Sequence, residues 1–376
     1  MSAPLSGADF FGAYAGRRVL VTGHTGFKGS WLSLWLRQLG AEVIGVSLDP
    51  PTTPSHYAAC GMAGQLADLR CDVRDYARLA GILAAEAPEM VFHLAAQPLV
   101  RRAFVDPRET FEVNVMGTVN VLEAARRTPS VRAALVATSD KCYRNVGWEW
   151  AYRETDPLGG HEPYAGSKAC AELVAEVYRD ERFQRHAEAP RGFAVASARA
   201  GNVIGGGDWA ADRLVPDIVR AIAAGEEIVV RNPEATRPWQ HVLDCLSGYL
   251  HLGARLLTEP GTAEEGWNFG PRELVPLPAA ALVRLVLDRW PGHSTRLVIR
   301  RDPAGKEAQV LRVDSSKAVH RLGWRSAWEA EAALGATIDW YRAHLAGGTE
   351  MRDFSIAQIA GYTAAARAAG AGWAVA

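Results

Sequence analysis

The chain has little of what marks a secreted, metal-binding or membrane protein. Its five cysteines are scattered through 376 residues and form no C-x-x-C pair, which argues against a disulfide framework and against a zinc site. No apolar run approaches the ~20 residues that cross a bilayer, and residues 1–18 lack the apolar core of a signal peptide. The net charge of −1 gives no overall field that would attract nucleic acid or an anionic membrane. We therefore expect a cytoplasmic protein that binds neither nucleic acid nor membrane and holds no metal.

The N-terminal half alternates short apolar runs with longer helical stretches. Hydrophobic residues make up 48% of the chain and charged residues 22%, which allows a large buried core. We predict strands at 18–22, 42–48, 66–73, 90–95, 134–139 and 193–198, and helices near 29–39, 75–86, 107–127 and 163–179. This alternation predicts an α/β fold, a Rossmann-like doubly wound parallel sheet.

The pattern changes after about residue 200, where helical and extended pieces mix without clear alternation. We predict an NAD-binding domain over residues 1–200. Residues 201–376 are predicted to form mainly a smaller C-terminal α/β lobe for substrate, and it is left open whether the two interleave. The low-complexity residues 364–376 are expected to fray.

The first predicted strand runs into a glycine-rich loop, T-G-H-T-G-F-K-G, with Gly23, Gly26 and Gly29 spaced three apart. A strand, a glycine turn and a helix start bring backbone N–H groups and the helix dipole up to a pyrophosphate. The second strand is followed by Asp49, about twenty residues on, which suits a ribose hydroxyl pair and favours NAD over NADP. The same loop places Phe27 at the cofactor.

Other residues near this loop have two interpretations each. Asp72 and Val73 end the third strand, where Asp72 either touches the adenine or caps the strand. His24 either crowds the cofactor or points outward. Lys28 either leans toward a phosphate or is a solvated helix residue.

Polar residues cluster where the fifth strand ends, in T-S-D-K-C-Y. Ser139, Asp140 and Lys141 follow a buried apolar run, and taken alone they would be read as a solvated turn. Further on, Tyr164 and Lys168 stand at i and i+4, on one face of a helix. A lysine ammonium near a phenol lowers the tyrosine pKa from about 10. Tyr164 is then a plausible base for a sugar hydroxyl.

These motifs, taken in order, resemble the extended short-chain dehydrogenase/reductases and, within them, the nucleotide-sugar 4,6-dehydratase branch. They are T-G-x-x-G-x-x-G, H-L-A-A-Q at 93–97, N-V-x-G-T at 114–118, T-S-D-K and Y-x-x-x-K. Longer stretches resemble the members of that branch that act on CDP-glucose: GHTGFKGSWLSLWL, TSDKCY, GGHEPYAGSKACAEL, AGNVIGGGDW and RPWQHV. The resemblance spans about residues 17 to 325.

The resemblance implies roles for the strand-end residues. Ser139 would hydrogen-bond the sugar, and Asp140 would protonate the C6 hydroxyl as it leaves. Lys141 stands where the dTDP-glucose enzymes carry a glutamate that removes the C5 proton. It is either that base, in its neutral form, or a group that stabilises the C5 enolate. The implied cycle oxidises C4 with NAD, with Tyr164 as base, eliminates water across C5–C6, and returns the same hydride to C6.

The resemblance also implies a substrate side and a partner. Ala95 and Gln97 would approach the cofactor, Gln97 would also reach the sugar, and Asn114 would hold the active-site strand. Asn202, Arg213, Arg237 and Asn268 would bind the nucleotide sugar, CDP-glucose. Helices near 107–127 and 163–179 would pair in a homodimer.

Two other classes of function remain open at this point. One is another nucleotide-sugar 4,6-dehydratase, a 4-epimerase or a decarboxylase on the same scaffold, and the Asp140–Lys141 pair argues against an epimerase or decarboxylase. The other is a catalytically silent NAD-binding regulator. The intact set of Ser139, Tyr164 and Lys168 argues against that.

Overall fold

The structure, a computed structural model, describes residues 9–186, 193–230, 232–271, 277–300 and 311–374. Its strands, in chain order, are β1 Arg18–Thr22, β2 Glu42–Ser47, β3 Ala67–Arg70, β4 Met90–His93, β5 Ala133–Ala137, β6 Ala194–Ala200, β7 Val203–Ile204, β8 Ile228–Val230, β9 Thr236–Arg237, β10 Gln240–His241, β11 Gly266–Phe269, β12 Leu277–Pro278 and β13 Leu297–Ile299.

The α-helices, in chain order, are α1 Phe27–Gln38, α2 His56–Ala59, α3 Tyr76–Glu86, α4 Val100–Val105, α5 Pro107–Phe111, α6 Gly117–Arg127, α7 Pro163–Arg179, α8 Glu181–His186, α9 Leu214–Ala224, α10 Val242–Thr258, α11 Ala279–Asp288, α12 Ala330–Ala346 and α13 Met351–Ala368. A π-helical turn, Glu112–Met116, joins α5 to α6, so residues 107–127 are helical throughout, as the sequence predicts. None of the helices within the described ranges is both long and apolar enough to cross a membrane.

Seven strands form one sheet in the order β11-β6-β5-β4-β1-β2-β3, and every neighbouring pair is parallel. Successive strand residues point to opposite faces. Val19 and Val21 of β1 therefore pack in the core with α1 and α10, while Leu20 packs with α3, α6 and α7. Both faces are covered, which confirms the Rossmann-like doubly wound sheet. The strand order reverses between β1 and β4, which is where such folds bind ligands.

Residues after 200 enter the central sheet as well. Strand β11 pairs with β6, and α10 packs across β5 and β6. The second half of the chain is thus interleaved with the first at this edge. Three small two-stranded sheets, β7–β10, β8–β13 and β9–β12, lie outside the main sheet.

The prediction that residues 364–376 fray is wrong for the described part of that segment. Helix α13 continues to Ala368, and Trp373 beyond it is fully buried. The Trp373 ring stacks on Phe10 with centroids 4.3 Å apart, and its carbonyl accepts a hydrogen bond from the Phe10 N–H at 2.7 Å. The two ends of the described chain therefore pack against each other. The burial of one large aromatic ring orders this segment although the residues around it are small.

Candidate active site

The glycine loop between β1 and α1 is closely packed at two of its glycines. Gly23 has φ +74°, and a Cβ there would lie 2.8 Å from the Ala95 nitrogen. A Cβ on Gly29 would lie 2.1 Å from the Gly23 carbonyl oxygen. Gly26 precedes α1 without a capping side chain, so the first N–H groups of the helix have no side-chain acceptor. An uncapped helix start with its positive dipole end at the reversal point of the sheet fits the pyrophosphate of a dinucleotide.

The loop is also tied to the second half of the chain. The tip of the Phe27 ring lies beside Gly205, because a Cβ on that glycine would be 3.0 Å from Phe27 Cζ. Gly205 belongs to the glycine-rich stretch that follows β6. Phe27 therefore lies between the predicted cofactor loop and the predicted substrate lobe.

His24 does not point outward, so that interpretation of it is wrong, and its effect on a bound cofactor stays a prediction. Its ring is fully buried beneath β2, and a Cβ on Gly45 would lie 2.4 Å from its Cδ2. Its Nε2 lies 2.7 Å from Asp68 Oδ1. Burial lowers the pKa of His24, and Asp68 opposes that shift. Because Gly45 has no side chain, it leaves the space that the buried His24 imidazole occupies.

The two predicted ribose and adenine carboxylates lie at the ends of β2 and β3. The Asp49 side chain is 88% exposed and accepts a bond of 2.8 Å from Arg70 Nε. Asp72 accepts bonds from Arg74, whose guanidinium holds the pKa of that carboxyl below its usual range. Val73 is buried against Gly117, the first residue of α6. Their roles toward a cofactor stay predictions.

The segment after β4 is fixed by an amide network. Asn114 Oδ1 accepts from the Gln97 N–H at 2.8 Å, and Asn114 Nδ2 donates to Ser167 on α7 at 2.9 Å. This confirms the structural role predicted for Asn114, which sits in the π-helical turn. The Gln97 side chain is itself engaged, donating to Thr110 Oγ1 at 2.9 Å and accepting from the Leu99 N–H at 2.7 Å. Its predicted contact with sugar or cofactor stays a prediction.

The strand-end residues form a single turn directly after β5. Strand β5 ends at Ala137, two residues earlier than predicted, and Ser139 starts a 3₁₀ turn over Asp140–Cys142. The Ser139 hydroxyl accepts from the Lys141 N–H at 3.2 Å and donates to Asp140 Oδ1 at 2.9 Å. Lys141 Nζ lies 3.5 Å from the same oxygen. Asp140 is 2% exposed, so this is not the solvated turn of the simpler interpretation.

Helix α7 brings Tyr164 and Lys168 to that turn. Glu162 caps the helix by accepting from the N–H groups of Tyr164 and Ala165, which fixes the first turn. Lys168 Nζ donates to the Ala137 carbonyl at 3.3 Å, at the very end of β5. The structure therefore brings the five predicted catalytic residues into one site, Ser139, Asp140, Lys141, Tyr164 and Lys168.

The charges around this site differ from the sequence prediction. Burial raises the pKa of Tyr164 above its ordinary value, and Lys141 and the neighbouring Ser139 hydroxyl oppose that shift. Burial and the charge of Lys28 lower the pKa of Lys168 to about 8. The expected lowering of the Tyr164 pKa is thus wrong for this state of the protein, because burial of the phenol outweighs the effect of the nearby cations.

A buried ion pair beneath the site was missed by sequence reasoning. Arg199 on β6 donates to Glu172 on α7 at 2.7 Å, and both side chains are buried. Glu172 also accepts from Ser197 Oγ at 2.7 Å and from the hydroxyl of Thr138, the residue before Ser139. Glu172 lies four residues after Lys168, so the i, i+4 spacing that pointed to Tyr164–Lys168 would have pointed to it as well.

The predicted substrate residues are spread along the far side of the turn. Arg213 donates to Asp208 at 2.7 Å, and its charge acts on Tyr164. The Asn202 carbonyl accepts from the Gln240 N–H at 3.3 Å, and Arg237 lies in β9. Asp140 Oδ2 faces Gly201, where a Cβ would lie 3.3 Å from it, so this segment borders the catalytic turn.

Asn268 lies beneath the site rather than on its surface. It is fully buried on β11, its Oδ1 accepts from Tyr143 at 2.8 Å, and its Nδ2 donates to the Tyr152 carbonyl at 2.9 Å. Tyr143 also accepts from Arg199 at 2.8 Å. The amide thus holds the floor of the site together, and a direct contact with a nucleotide stays a prediction.

Known proteins resemble this chain over most of its length. The profile of the GDP-mannose 4,6 dehydratase family matches residues 20–337. The CDP-glucose 4,6-dehydratase of Salmonella typhimurium is 46% identical over 334 residues, which are 89% of this chain and 93% of the relative. The solved structure of dTDP-glucose 4,6-dehydratase (DesIV) from Streptomyces venezuelae with NAD and TYD bound has a TM-score of 0.67 and 26% identity, over 86% of this chain and 97% of that chain. The UDP-glucose 4-epimerase of Thermotoga maritima shares the fold, with a TM-score of 0.72 and 24% identity, over 87% of this chain and 99% of that one.

Proposed function

The chain belongs to the GDP-mannose 4,6 dehydratase family, and we propose from this premise that it converts CDP-D-glucose to CDP-4-dehydro-6-deoxy-D-glucose with NAD. It is a hydro-lyase that prepares a deoxysugar precursor. The observation that carries the proposal is the turn of buried Ser139, buried Asp140 and half-buried Lys141 beside Tyr164 and Lys168. A plain dehydrogenase or an epimerase needs the tyrosine and lysine but has no use for the acid and amine next to them.

The glycine loop and the uncapped start of α1 would hold the pyrophosphate of NAD, and Asp49 its ribose. Bound NAD would accept hydride from C4 of the sugar and return it to C6, so the cycle is redox-neutral. The backbone of Ala95, just after β4, lies against Gly23. Because Gly23 has no side chain, the glycine loop can approach the end of β4 this closely. The chain's own residues supply all the proton transfers.

The first proton transfer belongs to Tyr164. Its phenolate oxygen takes the C4 hydroxyl proton while Ser139 holds the sugar by a hydrogen bond. Burial raises the pKa of Tyr164, and the positive charges of Lys141 and Arg213 lower it. Those cations therefore favour the phenolate at the moment when it is needed. Lys168, fixed on the Ala137 carbonyl, places its ammonium on the same side of the turn.

The second stage is elimination, for which C4 oxidation prepares the substrate. The 4-keto group acidifies the C5 hydrogen, and Lys141 either accepts that proton in its neutral form or stabilises the C5 enolate. Asp140 donates a proton to the C6 hydroxyl, which departs as water, and the proton removed from C5 returns to that carbon when C6 receives the hydride. Asp140 and Lys141 lie side by side, with 3.5 Å between Nζ and Oδ1, so both can act on neighbouring carbons.

The remaining groups bind the nucleotide sugar. Asn202, Arg213, Arg237 and Asn268 are proposed to contact or support it, and the arginines suit its diphosphate because a guanidinium binds phosphate oxygens in pairs. Asp208 orients Arg213 through a bond of 2.7 Å. The cytosine preference is taken from the relative that is 46% identical.

We also infer a homodimer that acts in the cytoplasm, where NAD and nucleotide sugars are made. Helix α7 exposes Leu173 and Val177 by 51% and 52%, and Met116 in the neighbouring helical segment is 51% exposed. Apolar side chains exposed together on helices suit a partner surface. Light scattering should give a dimer that Leu173→Glu dissociates, whereas Leu345→Glu, on α12, should not. A Leu173→Glu protein of unchanged mass would remove this surface from consideration.

The decisive experiment offers CDP-, dTDP-, GDP- and UDP-glucose to the purified protein, with and without added NAD, and follows product mass. CDP-glucose should lose one water with no net NADH. CDP-[4-²H]glucose should give a product with deuterium at C6. No mass change with any sugar would overturn the dehydratase, and mass-silent change of configuration would indicate an epimerase. Binding of NAD with no turnover of any kind would indicate a regulator.

A variant separates the two halves of the cycle. Asp140→Asn should still form NADH from CDP-glucose by C4 oxidation while water loss falls at least a hundredfold. Asp180→Asn, an exposed carboxylate at the end of α7, is the matched control and should dehydrate normally. Unchanged dehydration by Asp140→Asn would remove Asp140 from the mechanism.

A further inference from the structure

A network of polar side chains surrounds the ends of β2 and β3, outside the catalytic turn. Its centre is Arg70, the last residue of β3, whose Nε donates to Asp49 Oδ1 at 2.8 Å. The rest of the guanidinium meets Asp68 in a two-bond fork, in which Nη2 donates to Oδ2 at 3.2 Å and Nη1 donates to Oδ1. Arg70 therefore bridges two carboxylates, and only Asp49 has a role in the function proposed above.

Asp68 is anchored in turn from two directions. Tyr57 on α2 donates its hydroxyl to Asp68 Oδ2 at 2.5 Å, and the buried His24 ring of the glycine loop lies 2.7 Å from Oδ1. The Arg70 guanidinium also lies 5.9 Å from the centre of the Tyr57 ring, where an arginine is attracted to an aromatic face. Exposed ion pairs on long side chains are held only weakly. Arg70 differs from them because Asp68, which is 17% exposed, and Tyr57 fix its position.

The end of β2 is also tied to the glycine loop. Thr25 in that loop donates to the Leu48 carbonyl at 3.0 Å, one residue before Asp49, and its hydroxyl lies 2.8 Å from that of Ser47. Ser47 pairs with Arg70 in the sheet. The loop proposed for the cofactor pyrophosphate, the carboxylate proposed for its ribose, and Arg70 therefore lie along one connected edge of the fold.

The charge of this edge bears on which adenosine it accepts. Burial lowers the pKa of His24, so its ring is neutral near pH 7. Asp49 and Asp68 against Arg70 then leave one net negative charge. NADP differs from NAD by a phosphate on the ribose 2′ oxygen, and such a phosphate carries about 1.5 to 2 negative charges. The edge opposes that phosphate as it stands, and it would offer a cation if Asp49 were neutral.

We propose that Arg70 is a specificity-determining residue for the adenosine end of the cofactor. In the native chain Asp49 engages its guanidinium, which fixes that carboxylate for the ribose hydroxyls of NAD. Without the Asp49 charge, the same guanidinium, still held by Asp68 and Tyr57, binds a ribose 2′-phosphate, because arginine suits phosphate oxygens. The preference for NAD thus depends on one carboxylate beside a preformed phosphate-binding group. The proposal rests on the proposed function for its premise that the glycine loop holds NAD.

The test measures binding rather than turnover. Isothermal titration calorimetry of the full-length protein with NAD and with NADP gives the ratio of the two dissociation constants, and the wild type should prefer NAD. Asp49→Asn keeps the shape and removes the charge. It should move the ratio toward NADP by about ten- to a hundredfold, the value of one or two charge-assisted hydrogen bonds. Adding Arg70→Met to Asp49→Asn should cancel that gain, and a double variant that keeps the full gain would overturn the proposal.

Two further variants and a pair of smaller probes sharpen the result. Arg70→Lys in the Asp49→Asn background keeps the charge without the fork and should retain only part of the gain. If Arg70→Met does not fold, this variant decides the question, and an undiminished gain would overturn the proposal. Arg17→Met breaks a half-buried pair with Glu89 before β1 and is the matched control, which should leave the gain intact. Adenosine 2′,5′-bisphosphate compared with AMP should show the same shift, since both lack the nicotinamide.

The outcomes separate this proposal from the proposed function. A wild type that binds NAD but dehydrates no nucleotide sugar would overturn the function, and the binding ratios would still decide the role of Arg70. If Arg70→Met weakens NAD and NADP equally in the Asp49→Asn background, Arg70 serves only the fold of this edge. That result would overturn the specificity role while leaving the function in place.

Discussion

Replacing Arg199 by methionine should expose how the catalytic turn is supported. Arg199 and Glu172 are both buried, 2.7 Å apart, with no water-facing side to relieve a lone charge. Removing one partner of such a pair costs about 3–5 kcal/mol, because the other charge stays buried and unpaired. At about 2.1 cal/mol/K per residue, unfolding of 376 residues has an entropy of about 0.8 kcal/mol/K. The melting temperature should therefore fall by about 4–6 °C.

The stability lost in Arg199→Met should depend on pH, and the direction follows from the pKa of Glu172. In the wild type, Arg199 and hydrogen bonds from Thr138 and Ser197 hold the pKa of Glu172 below its ordinary value despite burial. The pair therefore contributes stability above the pKa of an unfolded glutamate, and this is lost as the pH falls. In Arg199→Met burial is opposed only by the hydrogen bonds from Thr138 and Ser197, so the Glu172 pKa should rise and the variant should lose stability as the pH rises. The gap between the two proteins should widen from pH 4 to pH 7.

Thermal unfolding measured by circular dichroism across that pH range is the assay. Arg199→Met/Glu172→Gln should recover at least half of the loss at pH 7, since no buried charge remains. Arg185→Ala, which breaks an exposed pair with Glu181, should shift the melting temperature by less than about 1 °C. An Arg199→Met protein that melts within 1 °C of the wild type at pH 7 would refute the reasoning.

Three further predictions concern other parts of the fold. Burial raises the pKa of Asp244 to about 6, so the stability that Asp244 contributes is full below the unfolded pKa near 3.8 and falls as the pH rises through 6. Unfolding titrations should show that Asp244→Asn gains about 3 kcal/mol of stability relative to the wild type between pH 4 and 7. Parallel curves for the two proteins would contradict this. Gly45→Ala should destabilise by about 1–3 kcal/mol in urea unfolding, because its Cβ would lie 2.4 Å from the His24 ring, whereas Gly81→Ala, in open space on α3, should not destabilise. Trp373→Ala should cost about 3–5 kcal/mol and speed proteolysis of the C-terminal segment, and a variant as resistant as the wild type would show that the packing of the two chain ends is unimportant.

Local spacing in the sequence predicted the pairing of Tyr164 with Lys168, whereas the roles of Ser139, Asp140 and Lys141 came from the resemblance to the dehydratases. The i, i+4 spacing of Tyr164 and Lys168 needs only a helix, and the position of Ser139 needs only the end of a strand. The orientation of side chains around them did not follow from such patterns. His24 turns under β2 because Gly45, on another strand, leaves room for it. Asn268 lies under the site because β11 joins the sheet beside β6.

The sequence by itself determined the alternation of strands and helices, the glycine loop at the first turn, and the order of the reacting groups along the chain. These depend on neighbours within a few residues, where backbone geometry fixes which side chains share a face. Only the tertiary structure decided which distant charges meet, such as Arg199 with Glu172. The physical reason is that burial and charge pairing depend on distances between segments far apart in the chain. The way those segments pack sets the distances, and no local pattern encodes them.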